Sequence, residues 1–409
     1  MQQLKQRNIA ILFFTLVIDM LGFGMIIPIF PTYITSFGAS GRTLGLLVAI
    51  YGLAQFIFSP IWGDLSDRYG RKPFLLLGTL GNALAQLLLG LANSLWMLFV
   101  ARALAGVLAS AALPTAMAYV SDSTDTEDRS SGMGLIGAAM GVGMILGPGL
   151  GGWLADIALP LPFLVAAVSS LPALALIVLL LPESLPESQR NIEKQRVRGP
   201  QFKRMWNALF GPIGFLLVLA LMMSFAMTNF ESVFGMYALE RYGYGPKRVG
   251  IILMVIGVIS ALMQGLATGA LTKHWGEVRL IRILLVGGAL AFLLLTTPQG
   301  FWGLLLASSF FILTNAMLRP AISSLTSRRA ESGQGVAMGL SNSFMSLGRI
   351  FGPIWAGFAF DFRMNLPYLT GALLTSAAWI ASLIWLTHQE AESGREGGMA
   401  GAELAPQPD

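Results

Sequence analysis

The sequence has no cysteine among its 409 residues. Disulfides, thiolate nucleophiles and thiolate-held clusters are therefore excluded. Histidine is nearly absent too: His274 and His388 are the only two, too few for a histidine-based metal centre or triad. No G-x-x-x-x-G-K-[ST] phosphate loop occurs, which argues against ATP-driven pumping. No cofactor, metal or enzymatic chemistry is expected. Charge is equally scarce, with Asp, Glu, Lys and Arg making up 11% of the chain.

Apolar residues fill the space, at 55% of the sequence and a mean hydropathy of +0.69. A soluble fold has no interior large enough to hide so much, so the chain reads as a membrane protein. The net charge of +5 does not point to nucleic acid, because the cations sit in short loops beside apolar runs rather than on a basic helix. The lipid bilayer is the expected partner, with a monomer as the working unit.

A helix needs about 20 apolar residues to cross a bilayer. That length predicts twelve spans, at 9–34, 43–62, 74–92, 95–119, 132–156, 161–181, 211–238, 248–270, 279–297, 301–325, 335–360 and 366–388. The first run is longer than a signal-peptide core and lacks a small-residue cleavage site, so it is read as a retained span. Backbone polar groups in hydrocarbon must be satisfied within one element, and the spans are too long for barrel strands, so the fold is all-α. Of the 26 Lys and Arg, 18 fall on one side, among them Lys5, Arg7, Arg68, Arg71, Lys72, Arg328 and Arg329. By the positive-inside rule that side, with both termini, is cytoplasmic.

A polar stretch divides the chain into an N-terminal six-helix bundle over 1–181, a cytoplasmic linker over 182–210 and a C-terminal six-helix bundle over 211–388. A disordered cytoplasmic tail is expected over 389–409. The halves echo one another. Gly63-Asp64-Leu65 through Tyr69-Gly70 returns 206 positions later as Gly269-Ala270-Leu271 through Trp275-Gly276, and Met133-Gly134 through Gly147-Pro148 returns 205 later as Met338-Gly339 through Gly352-Pro353. Two echoes at nearly one offset indicate parallel repeats with a midplane site between them.

Three features stand out against this background. Gly63-Asp64-Leu65-Ser66-Asp67-Arg68-Tyr69-Gly70-Arg71-Lys72-Pro73 is a dense charged island between two apolar spans. The string Gly137, Gly141, Gly143, Gly147, Pro148, Gly151, Gly152 puts small residues at helical spacing along span five, where a neighbouring backbone can come close and Pro148 permits a kink. Finally, five ionisable residues lie inside spans: Asp19, Arg102, Glu231, Arg319 and Arg349. Such residues are costly and functional by default. Asp19 lies about 15 Å into span one at about 1.5 Å per residue, on a face shared with Phe23, Ile26 and Phe30. Glu231 shares a face with Met223, Met227 and Phe234. Carboxyl groups taken out of water favour the neutral acid, which suits a proton carrier; pairing of each with an arginine is the structural alternative. Tyr51, Gln55, Phe234 and Asn342 are the foremost candidates for a drug-binding surface, followed by Phe230, Gln264, Asn315 and Phe344.

The charged island G-D-x-x-D-R-x-G-R-K resembles the loop between the second and third helices of the major facilitator superfamily. The glycine string resembles that superfamily's exporter motif, which packs the fifth helix against the eighth. Arg102-Ala103-Leu104-Ala105-Gly106 is similar to its fourth-helix motif, whose arginine is implicated in proton movement. Asp19-Met20-Leu21-Gly22-Phe23-Gly24, Asn229-Phe230-Glu231-Ser232-Val233-Phe234, and Met317-Leu318-Arg319-Pro320 are similar to the twelve-span drug:proton antiporters, in particular NorA-type multidrug exporters. Lys273-His274-Trp275-Gly276-Glu277 also resembles tetracycline exporters, but Ala85-Gln86 stands where those carry an acidic residue. The family's acidic residue in helix ten is replaced by Ala316, which makes Asp19 a possible substitute.

The resemblance implies a proton-coupled exporter of amphipathic drugs in the bacterial cytoplasmic membrane. Glu231, Asp19 and Arg102 would couple protons, and Glu231 would also meet substrate. Gly63, Asp64, Asp67, Arg68, Gly70 and Arg71 would gate, with Asp67 latching the start of span eleven around Gly335 to Gly339. Gly143, Gly147, Pro148, Gly151 and Gly152 would pack helices. Export of one physiological solute such as a sugar, peptide or lipid precursor, tetracycline export, and a non-transporting membrane sensor are the alternatives.

Overall fold

The computed structural model describes residues 2–125, 129–190, 202–330 and 333–403. Among the described residues there is no strand, as expected where each backbone group must be satisfied within its own segment. The long helices are α1 (Gln2–Thr35), α2 (Gly41–Tyr69), α3 (Lys72–Gly90), α4 (Leu95–Ser123), α5 (Arg129–Ile157) and α6 (Leu161–Leu180). After a short helix, Phe202–Ala208, come α7 (Gly214–Tyr242), α8 (Pro246–Leu262), α9 (Glu277–Leu294), α10 (Gly300–Arg328), α11 (Gln334–Phe362) and α12 (Leu366–Glu403).

Ten of the described helices are long and apolar enough to cross a membrane. The sequence reading expects twelve. The other two positions hold α9, which opens with Glu277, Arg279 and Arg282, and α11, which carries Ser341, Asn342, Ser343, Ser346 and Arg349 and so dilutes its apolar character. At the C-terminus the backbone stays helical to Glu403 rather than ending at 388. Residues 191–201 of the linker lie outside the described residues.

Many large side chains on the outer faces are exposed, for example Leu179 at 77% and Trp302 at 73%. Side chains of this kind at such exposure need lipid rather than water around them. Inside, Phe230 packs on Phe311 at 4.5 Å and on Phe234 at 4.8 Å.

Glycines set how close the helices come, and their contacts repeat across the halves. On one face of α5, Gly147 lies so near α1 that a Cβ there would sit 2.8 Å from the Cα of Gly24. The residue 205 positions later, Gly352, likewise meets Thr228 and Phe225 of α7. On its other face α5 meets α8, with Gly250 against the Pro148 carbonyl and Gly152 against Pro246. In the same relation, again 205 positions on, α11 meets α2: Gly45 lies against the Pro353 carbonyl and Gly357 against Gly41. Thus α5 and α11 each bind their own half through one face and the opposite half through the other.

These inter-half contacts gather at the end remote from the charged island. Toward the island, Gly134, Gly137 and Gly141 of α5 and Gly335 and Gly339 of α11 have open space where a Cβ would stand. The halves therefore meet at one end and part at the other.

Candidate transport site

Asp19 is buried in α1 facing α3, where Thr79 Oγ1 donates to its Oδ2 at 3.2 Å and Asn82 Nδ2 to its Oδ1 at 3.1 Å. Thr79 and Asn82 are one helical turn apart and so present both donors from one face. Asp19 borders a cavity of about 90 Å³ lined entirely by the first half, including Phe23, Tyr51, Gln55, Gln86 and Arg102. It is a niche in which Asp19, Asn82, Gln86 and Arg102 set polar groups into a mainly apolar lining.

Arg102 borders the same niche but does not pair with Asp19. Its Nε donates to the Leu47 carbonyl at 3.3 Å, and its guanidinium lies over the rings of Tyr51, 4.5 Å from the centroid, and Phe30, 5.3 Å away. The arginine alternative for Asp19 is thus not the arrangement observed: α3 occupies both carboxylate oxygens, while a carbonyl and two ring faces hold the cation. Gln55 Nε2 reaches the Tyr51 hydroxyl at 3.5 Å.

In the second half, Glu231 is half-buried in α7 and, among the described residues, makes no hydrogen bond or ion pair. The charge of Arg349 acts on it. Of the expected drug-contacting residues, Tyr51 and Gln55 line the niche. Phe234 does not, being 1% exposed within the aromatic core. Asn342 is exposed on α11, on the face that carries Ser346 and Arg349.

At the charged island Gly70 has φ of 103°, a region that favours glycine, and a Cβ there would sit 2.5 Å from Glu183 Oε2. Glu183, at the exit of α6, accepts from the backbone N–H of Arg71 at 2.7 Å and of Lys72 at 3.1 Å. Arg71 pairs with Asp67, donates from Nε to Asp122 at 2.8 Å and binds Ser66 Oγ at 2.8 Å. Burial is the largest single influence on the Arg71 guanidinium and pulls its pKa down, but the hydrogen bonds and charges of Asp122 and Asp67 together hold it above its ordinary value. Asp64 and Arg68 pair at 3.0 Å. This network joins α2, α3, α4 and the end of α6, all in the first half. Asp67 faces Arg71 rather than the start of α11, and a Cβ added at Gly63 would meet nothing within 4 Å.

Thr79, Asn82, Asp122 and Glu183 were not singled out from the sequence. The first two carry a signal: they are polar, three apart, in an apolar span. Asp122 sits in the last turn of α4 and Glu183 just past the end of α6, where nothing local marks a distant partner.

Helices with lipid-exposed apolar faces, a niche holding polar groups and charged groups at membrane depth define a multi-pass membrane protein whose interior serves a solute. The chain belongs to the Major Facilitator Superfamily, a family of transporters, which matches residues 12–353 and 264–408. It is 32% identical to Multidrug resistance protein 2 of Bacillus subtilis over 383 residues, covering 93% of this chain and 96% of that one. To the Quinolone resistance protein NorA of Staphylococcus aureus it is 28% identical, covering 94% and 97%. Among solved structures, the fold is similar to the nucleoside transporter NupG, with a TM-score of 0.72 at 15% identity, covering 94% of this chain and 99% of that one. It is also similar to the human organic anion transporter MFSD10, with a TM-score of 0.66 at 23% identity, covering 92% and 99%.

Proposed function

We propose that the protein is a monomeric, proton-coupled exporter of amphipathic drugs in the bacterial cytoplasmic membrane, with twelve spans and both termini in the cytoplasm. The observation that carries this reading is a carboxylate in each half at membrane depth, Asp19 beside the niche and Glu231 without a hydrogen-bond partner among the described residues. Among the described residues neither forms an ion pair with an arginine or lysine, which leaves each carboxylate to take and release a proton in this reading. The names of the multidrug and quinolone resistance relatives support the substrate class.

The positive-inside rule puts the charged island in the cytoplasm. The halves part at that end, so the conformation is inward-open. Drug enters the inter-half space from the cytoplasm against Tyr51, Gln55, Glu231 and the exposed face of Asn342. Rocking of the halves then opens the opposite end, where drug leaves and protons enter. Arg102, held over Tyr51, conveys charge changes between the proton niche and the drug surface. Asp67 and its loop gate the cytoplasmic end.

Reconstituted protein in proteoliposomes tests the reading. With a proton gradient imposed, added fluoroquinolone should drive proton movement, and Glu231→Gln should abolish it. Normal exchange by that variant would remove Glu231 from the mechanism.

A further inference from the structure

The short helix Phe202–Ala208, just before α7, is too short to cross a membrane, yet its three sides have three different surroundings. Met205 forms the first side. It is 5% exposed and packs in one cluster with Leu217 of α7 and with Ala337, Leu340 and Phe344 of α11. Gly214, the first residue of α7, lies against the Leu209 carbonyl, so a tight turn fixes the short helix at the level where α7 begins. Ala337 belongs to the first turn of α11, at the end where the halves part.

The second side is aromatic. Phe202, Trp206 and, just past the helix, Phe210 are 63%, 64% and 78% exposed, and their spacing of four makes them one stripe. The Trp206 and Phe210 rings lie 5.7 Å apart, and the Phe202 ring lies 6.3 Å from that of Phe56 in α2. The stripe therefore reaches from the second half to the first. Next to Phe56, α2 exposes Leu53 and Ile57, which at about 100° per residue point away from Tyr51 and Gln55 and so away from the niche. Exposed aromatics continuous with such a surface face lipid.

The third side is cationic, with Lys203, Arg204 and Asn207 all exposed. No Asp or Glu occurs from Phe202 to Phe230, and among the described residues Lys203 makes no hydrogen bond or ion pair. Around the helix the order is thus protein, aromatic rings, cations. A helix lying in a membrane interface needs that order, with rings at the acyl boundary and cations at headgroup depth.

We propose that this helix is a binding site for an anionic phospholipid of the cytoplasmic leaflet, the headgroup phosphate on Lys203 and Arg204 and the acyl chains along Phe202, Trp206 and Phe210. Rings alone would accept any lipid; the cations select the headgroup, and the arginine fork matches a phosphate. A second copy of the same face would bring two more cations to the first two, which like charge disfavours. The site does not depend on what the protein exports.

Because the chain has no cysteine, Asn207→Cys supplies one labelling position on the border between rings and cations. Full-length protein labelled there with bimane is reconstituted in phosphatidylcholine vesicles holding a small fraction of spin-labelled lipid, either phosphatidylglycerol or phosphatidylcholine, with the nitroxide high on the same acyl chain. So little anionic lipid creates no general surface field, so a preference is local. Phosphatidylglycerol should reach half-quenching at a concentration at least about fivefold lower, the scale of one basic residue at an anionic surface. Adding Lys203→Gln and Arg204→Gln should bring that ratio to about one while phosphatidylcholine still quenches. Lys203→Gln alone, in case the double variant fails to elute as a single species, should at least halve the ratio. Equal quenching by the two lipids before those substitutions, or a ratio that survives them, overturns the headgroup site. Quenching by neither lipid overturns the bilayer contact too, and leaves the stripe to another part of this chain or to a second copy.

Discussion

The carboxylate of Asp361, at the end of α11, accepts a 2.7 Å hydrogen bond from the backbone N–H of Gly41, the first residue of α2. Its second oxygen accepts from the Arg42 backbone N–H at 3.1 Å. A carboxylate at a helix N-terminus meets unsatisfied N–H groups and the positive end of the helix dipole. Here it belongs to the opposite half, so it fastens the two halves at the end where they touch. Lys247 and Asp156 add a second fastening at 2.9 Å between α8 and the end of α5. The Arg42–Asp361 ion pair itself adds little, because the arginine is 58% exposed.

Asp361→Ala should therefore loosen that end. Two charge-assisted hydrogen bonds in a partly exposed site are together worth about 1–3 kcal/mol, enough to shift the balance of the two conformations by about fivefold to 150-fold. The absence of cysteine makes the measurement clean. Ala356→Cys places a thiol at a position that is 0% exposed in this conformation, and labelling by an impermeant maleimide from outside should quicken when Asp361→Ala is added. Equal labelling rates would exclude Asp361 from the gate.

The glycine string is not uniform, and its members should respond differently to the same change. Gly147→Ala would drive a methyl to 2.8 Å from the Gly24 Cα and 2.9 Å from the Leu21 carbonyl. Overpacking against backbone costs about 1–3 kcal/mol. Gly141→Ala meets nothing within 4 Å and gains about 1 kcal/mol of helix propensity. Thermal melts of the purified variants should show Gly147→Ala several degrees below the wild type and Gly141→Ala at or above it. Matching melting points would refute the close-approach role.

Much of this was legible in the sequence, for reasons specific to each feature. Lipid forces long apolar runs, so the helices declared themselves. The 205-residue echo implied duplicated packing, and Gly45, Gly250, Pro148 and Pro353 realise it contact by contact. Residue type also led to Asp19, Tyr51 and Arg102 bordering one niche. What the sequence left open was pairing. Asp19 and Arg102 are opposite charges in neighbouring helices, yet short polar side chains of α3 and a Leu47 carbonyl compete better for them. Phe234 lies on the same face of α7 as Glu231 by helical spacing, but core packing claims it instead. Asp361 bears no local mark, since its partners are 320 positions away.

Asp19 offers a separation of charge from structure. Asp19→Asn keeps an acceptor for Thr79 or Asn82 and removes the ionisable group, so the fold should survive. Proton-driven fluoroquinolone accumulation in inverted membrane vesicles should fall at least about a hundredfold, the lower end of what general acid–base groups contribute. Undiminished accumulation would assign Asp19 a structural role in holding α1 against α3.

Asp67 supplies the opposing test. In the present conformation it pairs with Arg71, which also holds Asp122 and Ser66, so the loop keeps its shape if Asp67 loses its charge. If Asp67 swings to the N-terminus of α11 when the cytoplasmic end closes, it plays there the part that Asp361 plays at the N-terminus of α2. The two carboxylates would then stabilise opposite conformations, and their neutral variants should act with opposite sign. Asp67→Asn should slow maleimide labelling at Ala356→Cys, where Asp361→Ala quickens it, and the double variant should return toward the wild-type rate. Transport should weaken in Asp67→Asn while drug binding stays within about twofold, since about 0.4 kcal/mol is all that such a change represents. Faster labelling, or loss of binding in a protein that elutes as a single folded species, would show that Asp67 does not hold the outward-open state.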